Sequence, residues 1–159
     1  MSSCDRRSLL LLPLALAACG FTPVYGPGGT GQSLQDNVSV ADPVSRNDYY
    51  LVRRLEERLG RTDEGAYSLQ FATGISIQGL ALDPAGNIDR YNVVGATEYN
   101  LREKATGRIV TSGVVENFTS YSATGTTIAT RASSKDAEER LMVILADQIV
   151  TRLLVADLA

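Results

Sequence analysis

The chemistry open to this chain of 159 residues is bounded by a short inventory: two cysteines, Cys4 and Cys19, and no histidine. Histidine is the commonest general base near neutral pH and the commonest zinc ligand, so most hydrolase and metalloenzyme designs are removed at once. Spacing singles out no pair of carboxylates for acid and base work, and neither a cofactor-binding motif nor a metal-ligand set can be read. One thiol stands apart. Cys19 follows Leu16-Ala17-Ala18, which close an apolar stretch from Leu9 interrupted only by Pro13, and Arg6-Arg7 precede that stretch. A cationic start, a short apolar run and small residues before a cleavage point are the parts of an export signal. The run is about half of the roughly 20 residues that a spanning helix needs, so a retained transmembrane anchor is the weaker alternative.

The cysteine at the junction makes the pattern resemble a bacterial lipoprotein signal. That resemblance implies diacylation of the Cys19 thiol, cleavage before it and acylation of the new amino terminus. Arg6-Arg7 also raises twin-arginine export, but the residues after the pair fit it loosely, so general secretion is favoured. Cys4 would leave with the signal and Cys19 would be occupied by lipid, so no thiol would remain for a disulfide, a metal or catalysis. The chain carries 15 basic and 18 acidic residues, a net charge of −3. No overall basic field exists to draw it to nucleic acid, which is not expected as a partner.

Three segments follow: a signal over 1–18, an acylated Gly/Pro-rich tether over 19–32, and one domain over 33–159, long enough for a real core but not comfortably for two. Glycine and proline are too dense over residues 20–31 for a helix or an inner strand. Phe21, Val24 and Tyr25 in that tether are apolar enough to lie on a partner, on the membrane interface or on the domain itself.

Within the domain, residues 34–40 form a weak strand candidate, and Asn47 or Asp48 can cap a helix that Gly60 ends. Val52, Leu55 and Leu59, with Tyr49 and Leu51 alongside, give that helix an apolar face. Its arginines, interrupted by Glu56 and Glu57, read as a solvated face. Tyr67, Leu69, Phe71, Thr73, Ile75 and Ile77 alternate with small or polar residues, the period of a strand with one buried face. Turn chemistry at Asp83-Pro84-Ala85-Gly86-Asn87 and at Ala105-Thr106-Gly107 joins it to strands over 90–103 and 109–118, an antiparallel meander. Residues 120–134 read as an irregular connection, and Ser133 with Asp136 as the start of a last helix whose stripe is Leu141, Met142, Leu145, Ile149 and Leu153. The expected fold is α+β: a two-layer sandwich of a mixed, mainly antiparallel four-stranded sheet with two helices on one face, in the order strand-helix-strand-strand-strand-helix.

Several stretches in this order are similar to those of one family. They are Cys19-Gly20-Phe21-Thr22-Pro23-Val24-Tyr25-Gly26, Tyr67-Ser68-Leu69, Tyr121-Ser122-Ala123-Thr124 leading into Asp136-Ala137-Glu138-Glu139-Arg140-Leu141, and Leu145-Ala146-Asp147-Gln148-Ile149-Val150-Thr151-Arg152-Leu153. Together the chain resembles the LptE family of lipopolysaccharide-assembly lipoproteins. The resemblance implies a periplasm-facing outer-membrane lipoprotein that plugs the β-barrel of the translocon protein LptD, assists its assembly and contacts lipopolysaccharide; it implies no cofactor. The outward positions Ser68, Gln70, Ser76, Gln78, Asn92 and Asn100 would give such a plug a small polar exterior, as they would any solvated sheet face. Two other readings remain: a different periplasm-facing lipoprotein, such as a pilotin or lipid-carrying accessory factor, and a surface-anchored enzyme.

Phosphates and acidic sugars of lipopolysaccharide call for Arg and Lys at one spot. A meander gathers Arg90, Arg131 and Lys135 at one end of the sheet, opposite Arg102, Lys104 and Arg108. With the last helix starting near Ser133, Arg131 and Lys135 would flank its amino terminus, where an anion is favoured. These three are the candidate lipopolysaccharide contacts, with ordinary solvated charge as the alternative.

Overall fold

The computed structural model describes residues 26, 29–82, 86 and 88–156. The signal, Cys19 and the apolar residues of the tether lie outside this set. Seven elements follow in order: α1 (Thr30–Leu34), β1 (Val38–Val40), α2 (Arg46–Leu59), β2 (Tyr67–Leu82), β3 (Ile88–Glu103), β4 (Ile109–Ser122) and α3 (Thr127–Leu154). The sheet order is β1-β2-β3-β4; β1 runs parallel to β2, and the other pairs are antiparallel. This is the expected α+β sandwich, with one short helix added at its start.

The added helix corrects two expectations. Leu34 is not in a strand but closes α1, fully buried, and β1 is only three residues long. The tether, expected to reach residue 32, ends in helix from Thr30. What fixes this corner is the polar turn after Leu34. Asn37 donates from Nδ2 to the Ser33 carbonyl, accepts from the Ala66 N–H at 2.7 Å on Oδ1, and accepts from the Tyr67 N–H on its own carbonyl. One side chain thus ties α1 to the entrance of β2. Asp36 beside it has φ 54° and donates its N–H to the Leu59 carbonyl.

Helix α2 is capped by Ser45, whose hydroxyl accepts from the Asp48 N–H, rather than by Asn47 or Asp48. Asp48 in the first turn complements the positive end of the helix dipole. Gly60 ends the helix at φ 84°, and a β-carbon there would fall 2.0 Å from Asp36 Oδ1, so both conformation and space demand glycine. Leu51, Val52, Leu55 and Leu59 are buried as the pattern predicts, but Tyr49 is 55% exposed.

Helix α3 is the main departure from expectation. It starts at Thr127, where Thr126 caps it by accepting from the Ala129 N–H, and β4 runs to Ser122, so little of residues 120–134 is irregular. Ser, Thr and Ala in this stretch are poor evidence against helix because tertiary context overrides such weak preferences. At about 1.5 Å per residue α3 is roughly 42 Å long; its buried part, from Ala137 to Leu153, packs on the sheet, and the turns before Ala137 project past the core. Ala137, Leu141, Met142, Leu145, Ala146, Ile149, Val150 and Leu153 are all fully buried along it. They meet Leu69, Val93, Leu101 and Val115 of the sheet and Leu51, Leu55 and Leu59 of α2 in one core.

The approach of α3 to the sheet depends on Gly95. A β-carbon there would sit 2.9 Å from Leu141 Cδ2 and 3.2 Å from Leu145 Cδ1, whereas one at Gly74 on the opposite face would meet nothing within 4 Å. Gly95→Val is therefore expected to lower the midpoint of thermal unfolding by about 5–10 °C, since overpacking a filled core typically costs about 1–3 kcal/mol. Gly74→Val should leave the midpoint unchanged or raise it. Equal midpoints for the two variants would show that α3 does not rest on β3 at this point.

Candidate interaction surface

Ion pairs join α2 to α3, and a second group of cations sits at the end of the sheet where α3 begins. Between the helices the charges are paired. Arg54 donates from Nε and Nη2 to the two carboxylate oxygens of Asp147, each at 3.1 Å, and Arg58 donates to the same carboxylate at 2.7 Å. Arg53 donates to Glu139 at 2.8 Å, and Asn47 to Glu138 at 3.3 Å. The fork of Arg54 matches a carboxylate in bidentate geometry. The arginine face of α2, expected to be merely solvated, is thus turned toward acidic residues of α3. Sequence reasoning missed this because partners some ninety positions apart leave no local spacing signal.

These bonds hold the guanidinium of Arg54 above its ordinary value, through Asp147 first and Glu57 second, and that of Arg53 above it through Glu139. Arg46 is raised likewise by its hydrogen bond to the Tyr50 hydroxyl. A raised folded-state value of a cation contributes stability that is lost only as pH rises through the basic range, so these contributions are present at neutral pH.

Arg90, Arg131 and Lys135 are exposed, and among the described residues no ion pair engages them. The register places Arg90 opposite Ser122 at the end of β3 where α3 begins. That end carries a stacked pair, Tyr91 and Tyr121, with ring centroids 5.3 Å apart. Arg131 lines a shallow groove there with Tyr121, Gly125, Thr127 and Ser134. The three cations therefore share an end of the molecule but not a face. Arg90 alternates with Tyr91 and so points to the open side of the sheet, whereas Arg131 and Lys135 ride on the covering helix. Because α3 starts at Thr127, Arg131 lies in its second turn and Lys135 in its third, not at its amino terminus. The dipole acts over the first turn only, so it does not add to their pull on an anion.

The open face of the sheet has no element on it among the described residues. Cross-strand rows run Gln70–Asn100–Ser112, Ala72–Glu98–Val114, Gly74–Ala96–Glu116 and Ser76–Val94–Phe118. Small and polar residues dominate, as expected, but Phe118 is 60% and Val114 43% exposed, an apolar component the alternation on β2 alone did not reveal. Asn92 and Asn100 on the same face each bury an Oδ1 that lacks a hydrogen-bond partner. Among the described residues, no group of His, Cys, Asp and Glu could hold a metal ion, and no helix is long and apolar enough to cross a membrane.

The fold is shared with solved lipoproteins. One from Caulobacter crescentus CB15 aligns with a TM-score of 0.66 at 18% identity, over 81% of this chain and 96% of the other. The rare lipoprotein B of Shewanella oneidensis aligns with a TM-score of 0.57 at 17% identity, over 74% and 91%. A minor lipoprotein of Acinetobacter baumannii gives 0.55 at 14% identity, over 73% and 87%. No curated protein sequence matches the chain significantly. A family model described as LptE, lipopolysaccharide-assembly, matches residues 35–153, from the turn after α1 to the end of the buried stripe of α3. With that match spanning α2, the whole sheet and all but the last residue of α3, the chain belongs to the LptE family of lipopolysaccharide-assembly lipoproteins.

Proposed function

We propose that this chain is the lipid-anchored subunit of an outer-membrane lipopolysaccharide translocon, seated in the lumen of an LptD-like β-barrel and assisting its assembly. The observation that carries the reading is the family match over residues 35–153. It is supported by the uncovered sheet face, whose small and polar rows suit the wet, polar interior of a large barrel. In this reading Cys19 carries the lipid, the domain faces the periplasmic side, and the subunit binds and positions without catalysing a reaction. Extraction of the lipoprotein in mild detergent and identification of what accompanies it is the deciding experiment. Recovery of a barrel protein in fixed proportion supports the reading, and recovery of the lipoprotein without a barrel overturns it.

Lipopolysaccharide contact is proposed at the end that carries Arg90, Arg131 and Lys135. Their exposure and common end support it, and the guanidinium forks suit phosphate. Exchange of all three for Glu is expected to weaken binding of purified lipopolysaccharide by roughly tenfold or more at low salt, with the difference shrinking as salt rises. The midpoint of unfolding should not change, because all three side chains are exposed. Reversal of Arg102, Lys104 and Arg108 at the other end is the control. A loss confined to that control would move the contact to the opposite end of the sheet.

A further inference from the structure

The two outer edges of the sheet are treated differently by the rest of the chain. On β4, successive even-numbered residues direct their backbone groups away from β3, and side chains occupy three of those groups. Arg152 donates to the Val114 carbonyl, Arg140 donates to the Ser120 carbonyl at 3.5 Å, and Asn117 Oδ1 accepts from the Phe118 N–H at 2.8 Å. Side chains that occupy an edge block its pairing with another strand. The opposite edge is β2. There β1 covers only Tyr67, Ser68 and Leu69, and its last bond runs from the Ala41 N–H to the Leu69 carbonyl before the chain leaves for α2. That bond, with the one from the Tyr67 N–H to the Asn37 carbonyl, fixes the odd-numbered residues of β2 as those that face outward. Phe71, Thr73, Ile75 and Ile77 continue the series past the end of β1, and among the described residues none of their backbone groups has a partner on that side.

This open stretch spans about 20 Å, the length of an ordinary strand. Its flanks are accessible: Gln70, Ala72, Gly74, Ser76 and Gln78 are exposed on one face, and Ile77 is 51% exposed on the other. A ladder of unpaired N–H and C=O groups specifies its occupant, an extended backbone. Because the β4 edge is obstructed, one strand can be added on one side, while a filament would need both edges free.

We propose that the β2 edge from Phe71 to Ile77 receives an extended segment of the barrel partner as an additional strand, in line with β1. This rests on the translocon reading above. The incoming strand would place alternate side chains beside Phe71, Ile75 and Ile77 on the helix side, where apolar residues fit, and beside Ala72, Gly74 and Ser76 on the other, where small or polar ones fit. Backbone pairing would supply the binding and that alternation the selectivity.

Amide hydrogen exchange at single-residue resolution tests it, comparing the isolated chain with the detergent-extracted complex. In the isolated chain the amides of Phe71, Thr73, Ile75 and Ile77 should exchange rapidly, and those of Ala72, Gly74 and Ser76, bonded to β3, slowly. In the complex the first set should slow by roughly tenfold or more. A barrel recovered with these amides still fast overturns the strand addition and leaves the translocon reading standing. A chain recovered without a barrel removes both. Protection that grows with concentration of the isolated chain would assign the edge to a second copy, and protection present at every concentration would assign it to the chain's own amino-terminal segment; either overturns the proposal. Ile77→Pro and Val114→Pro each remove an outward N–H from one edge of the same sheet. With thermal unfolding confirming that both fold, only Ile77→Pro should reduce recovery of the barrel, by roughly tenfold. Equal recovery or equal loss for the two would overturn the proposal.

Discussion

Leu145→Asp is expected to leave the chain without a cooperative unfolding transition at room temperature. Leu145 is fully buried at the middle of α3, against the stretch of β3 that glycine keeps low at position 95. Truncating a buried leucine to alanine alone costs about 2–5 kcal/mol. Aspartate adds the burial of a carboxylate, and no cation among the described core residues could pair with it. The sum approaches or exceeds the stability of about 5–15 kcal/mol that a domain of this size has in total. Circular dichroism against temperature would check the result. A sigmoidal transition at the wild-type midpoint would mean that this stripe of α3 faces outward and that the helix does not rest on the sheet.

The same stripe shows which parts of the fold could be read in advance. Leu141, Leu145, Ile149 and Leu153 recur at helical spacing, and Tyr67 through Ile75 alternate at strand spacing, because one-sided burial leaves a periodic mark on each element. The start of α3 left no such mark. Residues before Ala137 project past the core, with Ile128 84% exposed, so there is no buried face to impose a period on Thr127 through Asp136. The only signal available was the cap, and Ser133 is as good a capping residue by type as Thr126, which the chain uses. Leu34 was misplaced for a related reason. A five-residue helix is too short to display a period, and what decides it is the turn at Asp36 and the side chain of Asn37 reaching Ala66.

The interaction surface was legible in part for parallel reasons. A meander places the ends of its strands by topology alone, so Arg90 and the start of α3 could be brought to one end from sequence. Their division between the two faces depends on the register of Arg90 with Ser122, which alternation over β3 would have yielded had it been applied to Arg90 itself. The pairing of α2 with α3 through Arg54, Arg58 and Asp147 could not be read, because it depends on two helices lying side by side. It changes what the charge of the chain means. Arginines that look free on a helical wheel are committed to Asp147 and Glu139 of the neighbouring helix.

Cys19→Ala is expected to produce the largest change in where the protein resides and little change in how it folds. The substitution changes no residue of the described core, which runs from Leu34 to Leu153, and the unfolding midpoint of the soluble domain is expected to match that of the parent. Attachment is another matter. Each buried methylene of an acyl chain contributes about 0.8 kcal/mol, so the several chains proposed on Cys19 would hold the protein far more firmly than Phe21, Val24 and Tyr25 could. Without them the chain should remain uncut at that point or appear soluble in the periplasm, with no lipid mass by spectrometry. The isolated variant should still bind purified barrel with parental affinity, because the contact surface proposed above is in the domain. In cells it should support far less barrel assembly, since confinement to the membrane raises the local concentration of two partners that must meet there. Lipid mass and membrane retention unchanged in the variant would show that another residue anchors the chain. Assembly unchanged despite their loss would show that the barrel captures its plug from solution and that the anchor serves a different end.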